Sequence, residues 1–309
     1  EGRFSPAVVY DGDTPVEYAS VPLTCYEGKG YRRETFESIS TLLENYYASR
    51  DTITRIRQKS SDLRRIVQTA LERSCKKYDL QLKQLKDTEK REKYRIYGEL
   101  LNTYGYELKG GEKSFKCINY YDNEEITIPL DPQLTARENA QKHFDKYNKL
   151  KRTYEALSQL TMETKAEVDH LESVSSALDI ALEENDLVQI KEELMEFGYV
   201  KKRRANEKRP KITSKPFHYV SSDGYDIFVG KNNYQNEELT FKVASGNDWW
   251  FHAKGIPGSH VIVKSNGQAD LPDRVFEEAG ALAAYYSKGR ENDKVEIDYI
   301  QKKNIKKVA

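Results

Sequence analysis

The sequence predicts an α+β protein in which a long antiparallel two-helix coiled coil with a small β tip is followed by a small α+β domain. Three observations support this fold class. Two long segments carry apolar residues at heptad spacing, glycines and prolines interrupt the chain between them, and β-type runs return near the C-terminus. With 38% hydrophobic and 32% charged residues among 309, the chain suits helices that bury one stripe better than one large core.

The first 33 residues are predicted to be strands and loops. Pro6, Pro15 and Pro22 divide them into short runs such as residues 7–10, and β-branched or aromatic runs between turn residues are typical of strands. We interpret residues 1–33 as the trailing β edge of a preceding domain. Glu1 stands where an initiator methionine would be expected, which indicates a piece of a longer protein.

Residues 34–198 are predicted to form the coiled coil, with a first helix from Glu34 to about Asn102 and a second from about Thr135 to Glu196. Neither segment contains proline. Each has roughly 60 to 70 residues, or about 90 to 100 Å of helix at 1.5 Å per residue. Two helices of matched length joined by a compact insert are expected to run antiparallel. The residues that set the spacing are Ile39, Leu42, Tyr46, Ile53, Ile56, Leu63, Val67 and Ala70, then Tyr147, Leu150, Tyr154, Leu157, Thr161, Thr164, Val168, Leu171, Ser175, Leu178 and Leu182.

The insert, residues 104–132, is predicted to be a small β tip. Glycines and prolines end the helices there, and two β-type runs, residues 115–121 and 125–128, flank the turn residues Asp122 and Asn123. A folded tip between two long helices suggests a contact with a partner, although aromatic residues at a tip also serve as its own core. The candidate contact residues are Tyr104, Tyr106, Tyr120 and Tyr121.

A basic linker, residues 199–216, is predicted to precede the last domain. Seven of the eleven residues from Lys201 to Lys211 are Lys or Arg, and the chain from Lys201 onward holds 20 Lys and Arg against 14 Asp and Glu. Such density favours counterion release from a nucleic-acid backbone, but a solvated tether explains the run equally well. A second basic group lies at the other end of the domain, at Lys302, Lys303, Lys306 and Lys307.

Residues 217–309 are predicted to form a small α+β domain with a helix at about 272–288. Both tryptophans lie in one run, where alternation buries one set of side chains and turns the other outward. The outward set is expected to stack on RNA bases, with Lys254 and Lys264 on phosphates. The alternative interpretation is two core strands around a Pro-Gly turn. Strands are predicted near residues 217–220, 225–230, 248–253, 259–264 and 294–299.

No cofactor, metal or catalytic site is predicted. The three cysteines are scattered without a C-x-x-C pair, so we expect neither disulfides nor a zinc ribbon, and a reducing cytosol as the location. His218, His252 and His260 match no ligand spacing. No nucleophile or paired-carboxylate arrangement stands out, so a binding protein is expected rather than an enzyme. No apolar run reaches the length of a membrane span.

Several runs of the sequence resemble the NFACT family, whose members have long been labelled fibronectin-binding proteins and include ribosome quality-control factors. The runs occur in family order around a coiled coil, and the resemblance covers nearly the whole chain. They are IPLDP at 128–132, ENAQ at 138–141, YNKLK at 147–151, VGKNN at 229–233 with QN at 235–236, WFHA at 250–253 with IPGSH at 256–260, and AAYYSK at 283–288.

The resemblance implies that the chain holds the coiled-coil middle domain and the NFACT-R domain, the latter incomplete at its C-terminus. It implies a cytoplasmic ribosome quality-control factor that binds a stalled large ribosomal subunit with peptidyl-tRNA. Such a factor recruits tRNA and supports template-free C-terminal alanine tailing, while the ribosome performs the peptidyl transfer. The older label leaves one alternative, a surface adhesin that binds fibronectin in the extracellular matrix.

Two groups of residues are expected to contact the ribosome and RNA. No membrane partner is expected. The tip tyrosines would touch the ribosomal surface, while the NFACT-R domain lies against tRNA or rRNA. The predicted RNA-binding residues are Lys201, Lys202, Arg203, Arg204, Lys231, Asn232, Asn233, Trp250, His252, Lys254, Ser259 and His260.

Overall fold

The computed structural model describes residues 4–12, 14–202, 212–268 and 270–307. The chain divides into two compact units, the first made of residues 1–70 and 170–309 and the second of residues 71–169. Long helices and antiparallel sheets occur in both, so the predicted α+β class, with two long helices and a small C-terminal sheet domain, is confirmed. Within the described ranges, no helix is long and apolar enough to cross a membrane.

Four helices occupy the predicted coiled-coil segments. They are α1 (Ile39–Thr88), α2 (Arg91–Tyr104), α3 (Ala136–Ile180) and α4 (Glu184–Glu196). The prediction of one continuous second helix is wrong, because the backbone is extended at Glu183, which caps α4 through a capping box with Asp186. The first helix begins at Ile39 rather than at Glu34, since residues 32–35 form a strand.

In the first unit, the end of α3 and the start of α4 run antiparallel to α1. Arg64 of α1 forms an ion pair with Asp179 of α3, and Lys59, one turn earlier in α1, lies 2.6 Å from the Glu184 carboxylate. Exposed pairs of this kind contribute about 0 to 1 kcal/mol each, so they help to fix the register more than the stability. Stability comes from the apolar stripe between the helices, which includes Leu63, Val67, Leu171, Val174 and Leu178, all buried.

The N-terminal residues form a three-stranded antiparallel sheet in the order β2-β1-β3. The strands are β1 (Ala7–Asp11), β2 (Thr14–Ala19) and β3 (Arg32–Thr35). Val8 and Tyr10 of β1 pack against Leu42 and Tyr46 on the first turns of α1. This sheet is therefore held by the coiled-coil helix itself, through a small core of its own.

In the second unit, α2 and α3 are also antiparallel and pack closely. The Arg91 guanidinium lies 4.0 Å from the centre of the Tyr154 ring. At Gly98 a Cβ would lie 2.7 Å from the Phe144 ring, so the absence of a side chain allows the two helices to approach each other.

The predicted β tip is a two-stranded antiparallel hairpin in the second unit, formed by β4 (Ser114–Ile118) and β5 (Glu125–Pro129). Its turn contains Asn123 at φ 59°, a left-handed conformation that asparagine tolerates. Phe115 and Ile128 point from the hairpin into a cluster with Leu100 and Leu101 of α2. The hairpin and α2 thus share one miniature core.

The C-terminal domain is a five-stranded antiparallel sheet in the order β10-β8-β9-β7-β6. Its strands are β6 (Phe217–Val220), β7 (Asp226–Val229), β8 (Trp249–Ala253), β9 (Val261–Val263) and β10 (Ile297–Gln301). Helix α6 (Asp273–Tyr285) covers one face, where Phe251 and Val261 pack against Val275 and Ala279. Between β7 and β8 the chain forms a short helix, α5 (Asn233–Glu238), and a π-helical turn, Leu239–Val243, which the sequence did not predict.

Candidate nucleic-acid interface

The run that begins at Lys231 lies at a buried junction between α4 and the C-terminal domain. Asp186, in the first turn of α4, is only 1% exposed. One of its carboxylate oxygens accepts hydrogen bonds from the Ser214 hydroxyl at 2.6 Å and from the Lys231 ammonium at 3.2 Å. The other accepts the backbone N–H groups of Leu182 and Glu183, both at 3.1 Å. Because both oxygens are satisfied, this carboxylate can be buried.

Amide side chains continue the junction along α4. The Gln189 carbonyl oxygen accepts hydrogen bonds from Asn232 at 2.8 Å and from Gln235 at 3.0 Å. Asn232 also caps α5, since its side chain accepts the Gln235 N–H at 3.0 Å. We call this set the docking network, and it consists of Asp186, Gln189, Ser214, Lys231, Asn232 and Gln235.

A second buried carboxylate lies about two turns beyond Asp186 in α4. Glu193 is 1% exposed, and one of its oxygens accepts the Asn233 amide at 2.6 Å and lies 2.8 Å from His170 Nε2. The His170 ring stacks on Phe197 with ring centres 3.9 Å apart. These contacts extend the junction from α4 to the end of α3.

Burial changes the expected role of several predicted RNA-binding residues. Lys231, Asn232 and Ser259 are 7%, 3% and 3% exposed. Their part in RNA binding stays a prediction. Asn233 is half-buried. Gly230, directly before this run, also indicates close packing, because a Cβ at this position would lie 2.2 Å from the Asn236 side-chain oxygen.

Trp250, His252 and His260 form a ring cluster on the sheet face opposite α6. The Trp250 ring lies 5.1 Å from His260 and 5.6 Å from His252. Burial lowers the pKa of His260 to about 4 and also lowers the pKa of His252. The half-buried cluster therefore carries no charge near neutral pH, and its Trp250 indole nitrogen is buried without a hydrogen-bond partner among the described residues.

The remaining predicted phosphate contacts are exposed or lie outside the described residues, except Lys264, which is half-buried and pairs with Asp248. Lys254 is exposed, and Glu296 at 3.2 Å raises the pKa of its ammonium group. Lys201 and Lys202 are exposed, whereas Arg203 and Arg204 lie outside the described residues. Nothing in the described part of the chain groups three or more His, Cys, Asp or Glu side chains as a metal site would.

A lysine cluster lies on the π-helical turn and on the segment after β10, with every member exposed except half-buried Lys302. The ammonium groups of Lys302 and Lys307 lie 5.5 and 5.9 Å from the centre of the Phe241 ring. Glu237 pairs with Lys307, and the other members have no carboxylate partner within 4.0 Å among the described residues. The sequence indicated the four lysines after β10 but gave no signal for Phe241. We call this set the C-terminal lysine cluster, and it consists of Lys242, Lys302, Lys303, Lys306 and Lys307.

The tip tyrosines divide between the two expected roles. Tyr106 is 80% exposed, and Tyr120 and Tyr121 are also exposed with ring centres 4.6 Å apart. Tyr121 donates a hydrogen bond to Glu99 at 2.5 Å. Tyr104 instead packs against the miniature core of the tip. Three aromatic rings thus remain at the surface of the tip.

Together, these features define a protein in which helix α4 holds a C-terminal sheet domain through buried polar contacts. Residues 1–213 match the family described as NFACT N-terminal and middle domains, and residues 215–309 match the NFACT protein RNA binding domain. The chain therefore belongs to the NFACT family.

The most similar relatives include bacterial proteins named Rqc2 homolog RqcH. The one from Streptococcus suis is 43% identical over 296 residues, which cover 95% of this chain and 52% of the relative. The one from Bacillus subtilis is 35% identical over 311 residues, which cover 99% of this chain and 53% of the relative. The chain thus spans about half the length of these relatives.

A solved structure has the same fold. It is the C-terminal part of the fibronectin/fibrinogen-binding protein from Streptococcus suis, with 38% sequence identity and a TM-score of 0.61. The match covers 82% of this chain and 87% of that chain.

Proposed function

We propose that this chain is the ribosome-binding and RNA-binding part of a cytoplasmic ribosome quality-control factor, and that it is not an enzyme. It binds a large ribosomal subunit that carries peptidyl-tRNA, contacts tRNA or rRNA, and supports tRNA recruitment and alanine tailing of the stalled chain. The relatives named RqcH and the matching NFACT RNA-binding domain support this proposal.

The C-terminal lysine cluster is the observation that carries the RNA-binding part of the proposal. It places the ammonium groups of Lys302 and Lys307 near the half-buried Phe241 ring, with three further lysines on the same short segments, and among the described residues only Lys307 of the five forms an ion pair, with Glu237. Unpaired ammonium groups around an aromatic side chain suit a phosphate backbone with a stacked base. The paired and covered side chains elsewhere in the domain, such as Lys231 and Lys264, are less available.

The first prediction concerns the salt dependence of RNA binding. The double substitution Lys303→Gln and Lys306→Gln is expected to weaken RNA binding and to lower the slope of log affinity against log salt by about 1.4 to 1.8, because each lost phosphate contact removes about 0.7 to 0.9. Fluorescence anisotropy with labelled RNA at several salt concentrations measures the slope. As a matched control, Lys59→Gln with Lys288→Gln removes two lysines that already pair with glutamates and is expected to change the slope little. Salt-independent binding of the parent chain would contradict the proposal.

The ribosome part is tested by sedimentation with purified large subunits, with and without peptidyl-tRNA. The chain is expected to sediment with the subunits, and more strongly with those that carry peptidyl-tRNA. Failure to sediment with either preparation would assign the ribosome affinity to parts of the longer relatives that this chain lacks.

A second prediction concerns the tip. Replacing exposed Tyr106 and Tyr120 by alanine is expected to weaken co-sedimentation with large subunits by about 5- to 30-fold, since buried interface aromatics often contribute more than 1 kcal/mol each. The control is Tyr47→Ala, which removes an exposed tyrosine of α1 in the other unit. Equal losses in both variants would show that the tip has no specific role.

Matrix binding is the second candidate function, favoured only by the name of the similar Streptococcus suis structure, a fibronectin/fibrinogen-binding protein. Surface plasmon resonance with immobilised fibronectin, run beside the RNA experiment, separates the two. Tight fibronectin binding that the lysine substitutions leave unchanged, together with no binding to large subunits, would favour the adhesin.

A further inference from the structure

An exposed basic flank lies on α3 in the second unit, away from the C-terminal domain in sequence. Lys142, Lys146 and Lys149 occupy positions i, i+4 and i+7, so they share one side of the helix. All three are exposed, and they extend over about 10 Å of helix at 1.5 Å per residue. They lie within and between the runs 138–141 and 147–151, to which the proposed function assigns no role.

Helix α2 adds a fourth lysine to the same flank through a continuous set of rings. The Lys146 ammonium lies 4.3 Å from the centre of the Tyr94 ring, and the Lys93 ammonium lies 5.4 Å from that of Tyr97. His143 lies between them, with ring centres 6.1 Å from Tyr94 and 5.2 Å from Tyr97. Both helices therefore contribute cations to one surface, which we call the basic flank and define as Lys93, Lys142, Lys146 and Lys149.

The basic flank keeps most of its positive charge. Lys142 pairs with Asp131 at 2.8 Å, but across the described residues no carboxylate lies within 4.0 Å of the other three ammonium groups. Burial lowers the pKa of His143, and the nearby charges of Lys146 and Lys142 lower it further. Three unpaired ammonium groups thus face solvent along one side of the hairpin.

We propose that the basic flank binds the phosphodiester backbone of RNA, as a contact additional to the C-terminal lysine cluster. The inference rests on the proposed RNA-binding function and extends it to the second unit. Cation–π contacts hold two of the ammonium groups over rings before RNA arrives, which reduces the side-chain ordering needed on binding. The rings are half-buried or buried beneath these lysines. The flank is therefore expected to recognise the charge and spacing of the phosphates rather than the identity of the bases.

The simpler interpretation is a solvated helix surface, which is the usual fate of exposed lysines. Two features of the flank argue against it. The outer side of a paired helix receives lysines from that helix alone, whereas this flank receives them from α2 and α3. In addition, Lys93 and Lys146 lie over aromatic rings, whereas within the described residues the ammonium groups of Lys83, Lys86 and Lys151 do not.

The test compares two triple substitutions in the full chain. Replacing Lys93, Lys146 and Lys149 by glutamine is expected to lower the slope of log affinity against log salt by about 2 to 3 for a short RNA duplex of arbitrary sequence, at about 0.7 to 0.9 per phosphate contact. The control replaces Lys83, Lys86 and Lys151 by glutamine. It removes the same charge from exposed positions of α1 and α3 within the same unit and is expected to leave the slope nearly unchanged.

The outcomes separate this inference from the proposed function. If the parent chain binds RNA and the flank variant keeps the full slope, the inference is wrong while the proposed function stands. If both triple variants lose the same amount, the effect reflects net charge alone and the flank has no specific role. If the parent chain binds no RNA, both fail. Thermal unfolding by circular dichroism checks that each variant is folded, and an additive loss when the flank variant is combined with Lys303→Gln and Lys306→Gln supports two independent contacts.

Discussion

Replacing Lys231 by methionine is expected to lower the free energy of unfolding of the C-terminal domain by about 3 kcal/mol, since removing one partner of a buried ion pair typically costs 3 to 5 kcal/mol. Methionine keeps the unbranched stem that lies near Phe217 but removes the ammonium group. Asp186 would then remain buried with three donors, Ser214 and the N–H groups of Leu182 and Glu183. Those remaining hydrogen bonds place the expected loss at the lower end of the range.

The measurement is chemical unfolding followed by tryptophan fluorescence. Both tryptophans of the chain lie in β8, so their fluorescence reports on the C-terminal domain. The control is Lys254→Met, which breaks an exposed pair with Glu296 and is expected to cost less than about 1 kcal/mol.

A double substitution identifies the buried charge as the cause. Asp186→Asn combined with Lys231→Met removes the unpaired carboxylate and keeps an oxygen that can cap α4, so it is expected to recover part of the stability lost in the single Lys231 variant. If Lys231→Met instead lowered the salt slope of RNA binding without changing stability, Lys231 would be a direct phosphate contact rather than a member of the docking network.

The docking network also shows why sequence alone could not reveal that these residues are buried. Lys and Asn are usually exposed, so the run at 231–233 was predicted to face RNA. Their partners, Asp186 and Gln189, are more than 40 residues earlier in the chain, and nothing in the local pattern links them. One local clue was present, because a glycine directly before a polar run marks a close backbone approach, as Gly230 does toward Asn236.

Elements with strong local patterns were predicted closely. Strands β6, β7 and β8 and helix α6 fall within a few residues of their predicted positions, because large apolar side chains alternate along the strands and recur at helical spacing in α6. Helix α5 was missed because the run 232–238 is short and polar, and the π-helical turn that follows it was missed because it has only five residues. The helical form of α5 depends on tertiary contacts, including the hydrogen bond from the His260 N–H to Asn236 at 2.9 Å.

The break between α3 and α4 illustrates the opposite limit. Heptad spacing continues through Leu182, and neither glycine nor proline marks residues 181–183. The capping box at Glu183 and Asp186 ends the continuity, and the carboxylate of Asp186 serves both this cap and the docking network. The turn and the attachment of the sheet domain therefore depend on the same side chain, which periodicity cannot reveal.

The second large effect is expected from acid. The pKa of His260 is lowered by burial to about 4 in the folded chain, against about 6.5 when unfolded. Below pH 6.5 the unfolded chain therefore binds a proton that the folded chain excludes, so stability is fully present above pH 6.5 and is lost as the pH falls toward 4. The free energy of unfolding is expected to fall by about 1.4 kcal/mol per pH unit in this window, or about 3 kcal/mol in all.

Besides Trp250, three groups lie near the His260 imidazole, and only one of them titrates in the relevant pH range. His252, 5.4 Å away on β8, has its pKa lowered by the same burial and adds to the loss. Thr240 and the Asn236 carbonyl lie 2.8 and 3.2 Å from His260 Nδ1 and do not titrate in this range. Between pH 6.5 and 5, where most carboxylates remain ionised, His260→Asn is expected to remove most of the His260 contribution to the slope of unfolding free energy against pH.

The matched control for the acid effect is His143→Asn in the second unit. Burial also lowers the pKa of His143, but that side chain lies in the other unit from the tryptophans, so the slope measured by their fluorescence should not change. An unaltered slope in His260→Asn would mean that the imidazole is protonated in the folded domain, and the ring cluster would then carry positive charge. In that case Trp250, His252 and His260 would form a cationic aromatic surface suited to RNA. If His260→Asn instead removes the slope of unfolding free energy against pH, the result supports a neutral ring cluster. The positive charge for RNA binding would then come from the exposed lysines.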